Sequence, residues 1–131
     1  MNRSRLPTPA ARILIVDDDE DIRSVIALIL GSAGHDVTAV SNGFAALWWL
    51  EQQTYDLVIS DVKMPELDGL GLYAEIRARW PRGSPRILFV SGFADTAPYA
   101  GTLKAINVPV LFKPFSVDDL CHMVTRMLDV I

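Results

Sequence analysis

Cysteine is almost absent: Cys121 is the only one among 131 residues. A single thiol excludes an internal disulfide framework and a structural zinc site built from several cysteines. No apolar run reaches the ~18–20 residues that a helix needs to cross a bilayer. The first twelve residues, MNRSRLPTPAAR, contain no apolar segment of the kind found in secretory signals. These absences predict a soluble cytoplasmic protein with no membrane partner.

Basic residues are not in excess, since 12 Lys and Arg stand against 16 Asp and Glu. Binding to nucleic acid through surface charge requires clustered Lys and Arg, so direct nucleic-acid binding is not expected. Five of the acids are consecutive, in the segment from Asp17 to Asp21, and the other eleven nearly balance the basic residues. Acidity concentrated in this way indicates a cation site, a helix N-terminus or both.

Short apolar runs rich in β-branched residues alternate with longer segments of helical spacing. The runs predict five strands at residues 13–16, 37–40, 57–59, 87–90 and 108–112. The longer segments predict helices that include residues 22–30, 44–50, 70–80 and 117–128. A weaker helix, interrupted by Pro98 and Gly101, precedes the last strand and is the fourth of five.

Strands that alternate with helices in this order predict a parallel sheet covered on both faces. The expected fold is therefore a doubly wound α/β domain, a three-layer sandwich of five strands and five helices. Residues 1–11, which include Pro7 and Pro9, are predicted to form a flexible arm ahead of one domain at residues 12–131.

The residues that follow the strands are those that bind metals and phosphate. Asp17 and Asp18 follow the first strand, Asp61 the third, Ser91 the fourth and Lys113 the fifth. Ligands of an open parallel sheet bind beyond the carboxyl ends of its strands, where these side chains meet. Three carboxylates need positive charge nearby, which Mg²⁺ and Lys113 could supply. A carboxylate in such a site can attack phosphorus and form an aspartyl-phosphate.

Each of these residues taken alone is more simply a helix cap, a turn residue or a solvated charge. Their order and spacing together, however, resemble the receiver domain of two-component response regulators, which has the CheY-like, flavodoxin-like fold. The resemblance runs from about residue 12 to residue 130. Gaps of 44, 30 and 22 residues separate Asp17, Asp61, Ser91 and Lys113. The motifs that carry it are Asp17-Asp18, Asp61 to Pro65, Asp68-Gly69, Ser91-Gly92 and Lys113-Pro114-Phe115.

The resemblance implies a phosphoacceptor and a metal site. Asp61 would be the phosphoacceptor and would also contact Mg²⁺. Asp18 would ligate the ion directly, and Asp17 largely through water. The backbone carbonyl of Lys63 would be a further ligand.

The resemblance also implies contacts to the phosphoryl group and a strand order. Ser91 would donate its hydroxyl to that group, and Lys113 would pair with one of its oxygens. The peptide bond before Pro114 would be cis, and the strands would lie in the order 2-1-3-4-5.

The function implied is that of a phosphorelay switch. A histidine kinase or a histidine phosphotransfer protein would donate the phosphoryl group to Asp61. The signal would leave through the fourth helix, fifth strand and fifth helix towards a downstream output protein. Such a domain assists its own phosphorylation and dephosphorylation but is a switch, not a turnover enzyme.

The sequence departs from the family pattern at Val110, where the family has a switch aromatic. Phe93 and Lys63 occupy positions at which the family tunes dephosphorylation, and one hypothesis is that Phe93 shields the acyl phosphate from water. On the second helix, Leu47 and Leu50 have core spacing, which leaves Trp48 or Trp49 facing solvent. That tryptophan either covers the helix edge or contacts a partner, which includes a weak homodimer. On the first helix, Ile22, Val25, Ile26 and Ile29 form the expected core stripe.

Two other functions stay open at this stage. A pseudo-receiver would keep the fold as a binding module without phosphorylation. A small aspartate-nucleophile phosphohydrolase would use the Asp-x-Asp of Asp17 and Asp19, but Glu20 and the lack of room for a cap domain argue against it. Met1 and the absence of a linker after the last helix favour a free-standing regulator, with a receiver cut from a longer protein as the alternative.

Overall fold

A computed structural model describes residues 10–129 and contains one five-stranded parallel sheet. The strands are β1 (Arg12–Val16), β2 (Asp36–Val40), β3 (Leu57–Ser60), β4 (Arg86–Gly92) and β5 (Val110–Lys113). The helices are α1 (Glu20–Ser32), α2 (Gly43–Gln52), α3 (Gly69–Arg79), α4 (Phe93–Thr96), α5 (Ala100–Ile106) and α6 (Val117–Asp129). The sheet order is β2-β1-β3-β4-β5, which confirms the predicted order.

The sheet separates two hydrophobic cores, because alternate residues of a strand point to opposite faces. Leu14 and Val16 of β1 belong to the core that packs against α2, α3 and α5. Ile13 and Ile15 of the same strand belong to the core that packs against α1 and α6. The predicted three-layer, doubly wound architecture is therefore confirmed. No helix within residues 10–129 has the length and apolar character needed to cross a membrane.

The fourth predicted helix is divided into three pieces. The short helix α4 is followed by a 3₁₀ turn at Ala97–Tyr99 and then by α5. Pro98 lies in the turn, and a proline removes one backbone donor and crowds the preceding helical turn. Pro98, together with Gly101, is also the reason why this segment was predicted to be the weakest of the five helices.

The structure differs from the sequence prediction on the face of α1. Val25 was expected in the core stripe, but 46% of it is exposed, so that expectation is wrong. Ile26 is buried as expected, Leu30 is buried as well, and Ile22 and Ile29 are partly buried against the core. An apolar residue at core spacing can still lie at the solvent edge of a helix, because the stripe that faces the sheet is narrower than the apolar stripe.

The predicted arm and the end of the predicted domain are only partly described. Residues 1–9 and residues 130–131 lie outside the described residues. Ala11, which the prediction placed in the arm, is buried, and its backbone N–H donates to Nδ1 of His35. Its carbonyl accepts a hydrogen bond from the N–H of Asp36, so Ala11 is tied to the start of β2.

Candidate functional site

A polar cavity of about 510 Å³ opens at the carboxyl edge of the sheet. The loops after β1, β3 and β4 and the end of β5 supply its walls, as expected for an open parallel sheet. The residues that line it are Asp18, Asp19, Asp61, Lys63, Met64, Pro65, Asp95 and Lys113.

Asp61 lies at the centre of the site, directly after β3. Its backbone N–H donates to the carbonyl of Val16, which continues the pairing of β3 with β1. The residue is 7% exposed, and both carboxylate oxygens accept hydrogen bonds. Oδ1 accepts from the Ser91 hydroxyl at 2.5 Å and from the N–H of Lys63 at 3.3 Å. Oδ2 accepts from Nζ of Lys113 at 3.0 Å.

Lys113 holds two carboxylates together across the sheet. Its ammonium lies 3.1 Å from Oδ2 of Asp17 and 3.0 Å from Oδ2 of Asp61. Burial by itself would lower the pKa of Lys113, but the hydrogen bonds and charges of the two carboxylates outweigh it and raise the pKa above its ordinary value. The lysine therefore stays charged and offsets part of the negative charge of the site.

Asp17 is the most deeply buried of the three acids, at 2% exposure. Burial raises its pKa, and the hydrogen bond from the Asp19 N–H and the positive charge of Lys113 offset this only in part. Ionisation of Asp17 therefore lowers the stability of the folded protein, and additional positive charge in the cavity would reduce this loss of stability.

Asp17, Asp18 and Asp61 could hold a metal ion. One carboxylate oxygen from each lies within 4.8 Å of the others. Asp18 is exposed and forms no hydrogen bond or ion pair with any residue in the range 10–129, which leaves its oxygens free for a ligand. Three carboxylates are hard oxygen donors of the type that Mg²⁺ prefers. The donor set therefore fits a divalent cation, and Lys63 lines the same cavity.

The neighbouring acids have structural roles. Asp19 caps α1, accepting hydrogen bonds from the N–H groups of Asp21 and Ile22, so the acidic segment does include a helix N-terminus. Asp68 caps α3 by accepting from the N–H of Gly71. These caps fix where the loops after β1 and β3 enter their helices.

Gly69 brings the start of α3 against the backbone of Asp61. Its N–H donates to the carbonyl of Val62 at 2.8 Å. A Cβ at this position would overlap the carbonyl oxygen of Asp61 and press on Val62 and Phe89. Only glycine fits without moving the backbone of Asp61, which explains the Asp-Gly pair in the sequence.

Ser91 and Lys113 meet at Asp61 because their strands are neighbours. Ser91 is completely buried and pairs in register with Phe112 of β5. Lys113 is the next residue of that strand. The peptide bond between Lys113 and Pro114 is cis, the isomer that the family resemblance implies.

Two phenylalanines form an exposed pair beside the site. The ring of Phe93 lies 5.7 Å from that of Phe112, centroid to centroid, and the residues are 69% and 45% exposed. Phe93 therefore packs on β5 and is not among the residues that line the cavity, and its shielding of an acyl phosphate stays a prediction. Val110, two residues before Phe112, packs against the core. The exposed aromatic residue of β5 is thus Phe112.

Sequence reasoning overlooked Asp95, which lines the cavity. The signal available was its position four residues after Ser91, in the segment that leaves the carboxyl end of β4. That segment was read as a weak helix, so its turn towards the cavity was not predicted.

The tryptophans of α2 lie away from the cavity. Trp48 is 58% exposed, whereas Trp49 is half-buried and packs against the core. The two rings meet edge to face with centroids 5.1 Å apart. This confirms that at least one of the two faces solvent, beside an exposed Phe44 one turn earlier.

Comparisons with known proteins agree with this geometry. A model of the "Response regulator receiver domain" family matches residues 13–125. The response regulator receiver protein CpdR of Brucella abortus is 34% identical over 119 residues, which cover 89% of this chain and 96% of CpdR. Sensor kinase CckA of the same organism is 37% identical over 123 residues, 92% of this chain but only 13% of CckA.

A solved structure shows the same fold. The chemotaxis response regulator CheY4 of Vibrio cholerae superposes with a TM-score of 0.79 at 28% identity, covering 91% of this chain and 99% of CheY4. The sequence matches and the structural match indicate the same family, and the motifs of that family supply residues that line the cavity. The chain belongs to the response regulator receiver domains of two-component systems.

Proposed function

We propose that this protein is a phosphorylation switch in which Asp61 accepts a phosphoryl group from phosphohistidine. The observation that carries the proposal is the pair of donors on the buried Asp61 carboxylate, a hydroxyl on one oxygen and an ammonium on the other. Both groups can donate hydrogen bonds to the oxygens of an incoming phosphoryl group, which then carry the negative charge.

The transfer balances without a further reactant. A carboxylate oxygen of Asp61 forms a bond to phosphorus, the phosphorus–nitrogen bond of the donor breaks, and the electron pair leaves with the imidazole. Lys113 donates to a phosphoryl oxygen and keeps its partner Asp17 neutralised. The acids Asp17, Asp18 and Asp61 would hold Mg²⁺, which supplies charge neutralisation on the phosphoryl oxygens when bound.

The signal is proposed to leave through Ser91. Its hydroxyl now bonds to Oδ1 of Asp61, and phosphoryl oxygens offer a more negative acceptor. Because Ser91 lies two residues before Phe93, a shift of the serine moves the Phe93–Phe112 contact. The output surface would therefore include α4, β5 and α6, the fifth helix of the prediction.

The partners proposed are a histidine kinase or a phosphotransfer protein upstream and an output protein downstream. A stretch similar to this chain within a sensor kinase supports the upstream partner. We also propose that the protein is a switch that assists its own phosphorylation and dephosphorylation and does not turn over other phosphoesters.

The test is the intact mass after incubation with Mg²⁺ and acetyl phosphate. One phosphoryl adduct should form on the wild type, and none on Asp61→Asn or after chelation of the metal. Asp68→Asn is a matched control, because Asp68 caps α3 and does not line the cavity. A folded wild type that binds Mg²⁺ but forms no adduct with either acetyl phosphate or a phosphohistidine donor would instead favour a binding module.

A further inference from the structure

Asp95 is an acid of the cavity wall that the proposed switch does not use. Its side chain is half-buried and lines the cavity together with Asp61 and Lys113. Oδ2 of Asp95 lies back over Gly92, 3.7 Å from where a Cβ on that glycine would stand. The carboxylate forms no hydrogen bond or ion pair with the part of the chain that the structure describes.

The other acids of the cavity are engaged. Asp19 caps α1, Asp61 accepts from Ser91 and Lys113, and Asp18 belongs to the three-acid cluster. Asp95 lies outside that cluster. Its carboxylate therefore has oxygens that can accept a hydrogen bond from a water molecule in the cavity.

The strand order places Asp95 and Asp18 on opposite sides of Asp61. β3 lies between β1 and β4 in the sheet. Asp18 follows β1 and Asp95 follows β4, so the cation side and the Asp95 side flank the carboxylate at the end of β3. Phe93 packs on Phe112, and Asp95 is the residue of α4 that lines the cavity.

We infer that Asp95 accepts a hydrogen bond from the water that hydrolyses the acyl phosphate on Asp61, and that it thereby sets the lifetime of the phosphorylated state. This inference rests on the proposed function of Asp61. The water oxygen forms a bond to phosphorus, and the bond between phosphorus and Asp61 breaks, with the electron pair returning to the carboxylate. Asp95 receives one proton of the water and passes it to solvent. The products are inorganic phosphate and free Asp61.

The role of Asp95 predicts a graded effect of substitution. Asp95→Ala removes both the acceptor and the charge, and should lengthen the phosphoryl half-life about tenfold, the effect of one unit charge and one acceptor at a partly solvated site. Asp95→Asn keeps an acceptor oxygen and should fall between Ala and the wild type. Asp118→Ala is the matched control, since it removes an exposed acid in the first turn of α6, away from the cavity.

The experiment loads each protein with acetyl phosphate and Mg²⁺, removes the donor, and follows the adduct by intact mass. Mg²⁺ affinity by calorimetry and the free energy of unfolding in urea should be unchanged in Asp95→Ala, which a merely structural role would not allow. A half-life in Asp95→Ala within about twofold of the wild type, or an equal lengthening in Asp118→Ala, would overturn the role of Asp95. Absence of any adduct on the wild type would overturn the phosphoacceptor proposal itself, and this inference with it.

Discussion

Replacing Lys113 by methionine should destabilise the fold, because two buried carboxylates would lose their shared cation. The side chains of Asp17 and Asp61 are 2% and 8% exposed, and the ammonium lies 3.1 and 3.0 Å from them. Removing one partner of a buried ion pair costs ~3–5 kcal/mol. Lys113 keeps 21% of its side chain exposed at an open cavity, so we expect the lower limit, about 3 kcal/mol at neutral pH.

The assay is urea unfolding of wild type and Lys113→Met, followed by circular dichroism. Millimolar Mg²⁺ should narrow the difference in the free energy of unfolding between the two proteins, since a divalent cation at the three-acid cluster replaces the missing charge of Lys113. Lowering the pH should narrow this difference in the free energy of unfolding as well, because the raised pKa of Asp17 favours protonation of its carboxylate. In the wild type, the raised pKa of Lys113 means that its contribution is complete below its ordinary pKa of ~10.4 and is lost as the pH rises through the folded value.

Lys104→Met is the matched control, because Lys104 is exposed in the last turn of α5 and forms no ion pair within residues 10–129. Its effect should stay within about 0.5 kcal/mol. The reasoning fails if both lysine variants lose the same stability, or if Mg²⁺ leaves the deficit of Lys113→Met unchanged.

Four further outcomes are expected. Asp17→Asn should raise the free energy of unfolding at neutral pH, because the raised pKa of Asp17 means that the ionised carboxylate is less stable in the folded protein than in the unfolded chain. The gain in stability should vanish in urea titrations below the ordinary pKa of ~3.9, and a loss of stability at neutral pH would contradict this reasoning. Asp18→Asn should lower Mg²⁺ affinity in calorimetry at least about tenfold with little change in stability, since its carboxylate is exposed and has no partner among the described residues. Gly69→Ala should cost about 1–3 kcal/mol in chemical unfolding, as the new methyl group meets backbone and an aromatic ring, and a neutral result would refute the close packing. Leu47→Ala should lower stability by ~2–5 kcal/mol but Trp48→Ala by less than about 1 kcal/mol in the same assay, because Leu47 is 4% and Trp48 58% exposed.

The fold was predictable because each strand has a recognisable pattern in its own short stretch of sequence. Ile13 to Val16 and Leu57 to Ile59 are continuous apolar runs, which indicate strands covered on both faces. The first and last residues of the strands were harder to predict. The fifth strand was predicted from residue 108, but it begins at Val110, because Pro109 cannot donate to the ladder; its carbonyl instead accepts from the N–H of Phe89.

The site was predictable as far as strand ends determine it. Asp17, Asp61, Ser91 and Lys113 each follow a strand, and parallel strands bring such residues to one edge. Asp95 was not predictable in this way, because its position depends on how the segment after β4 turns. The contact of the Phe93 ring with Phe112 was not predictable either, since it depends on the same turn after β4.

The ion pairs of Lys113 have a consequence for the order in which the site is assembled during synthesis. The lysine is 96 residues after Asp17 and 52 residues after Asp61, so it leaves the ribosome long after both acids. A nascent chain that stops short of β5 has the acceptor carboxylate without its ammonium and without the strand that β4 pairs with. Under the proposed function, a chain that ends before β5 would lack the ammonium that bonds to the acceptor, and we expect it to form no phosphoryl adduct.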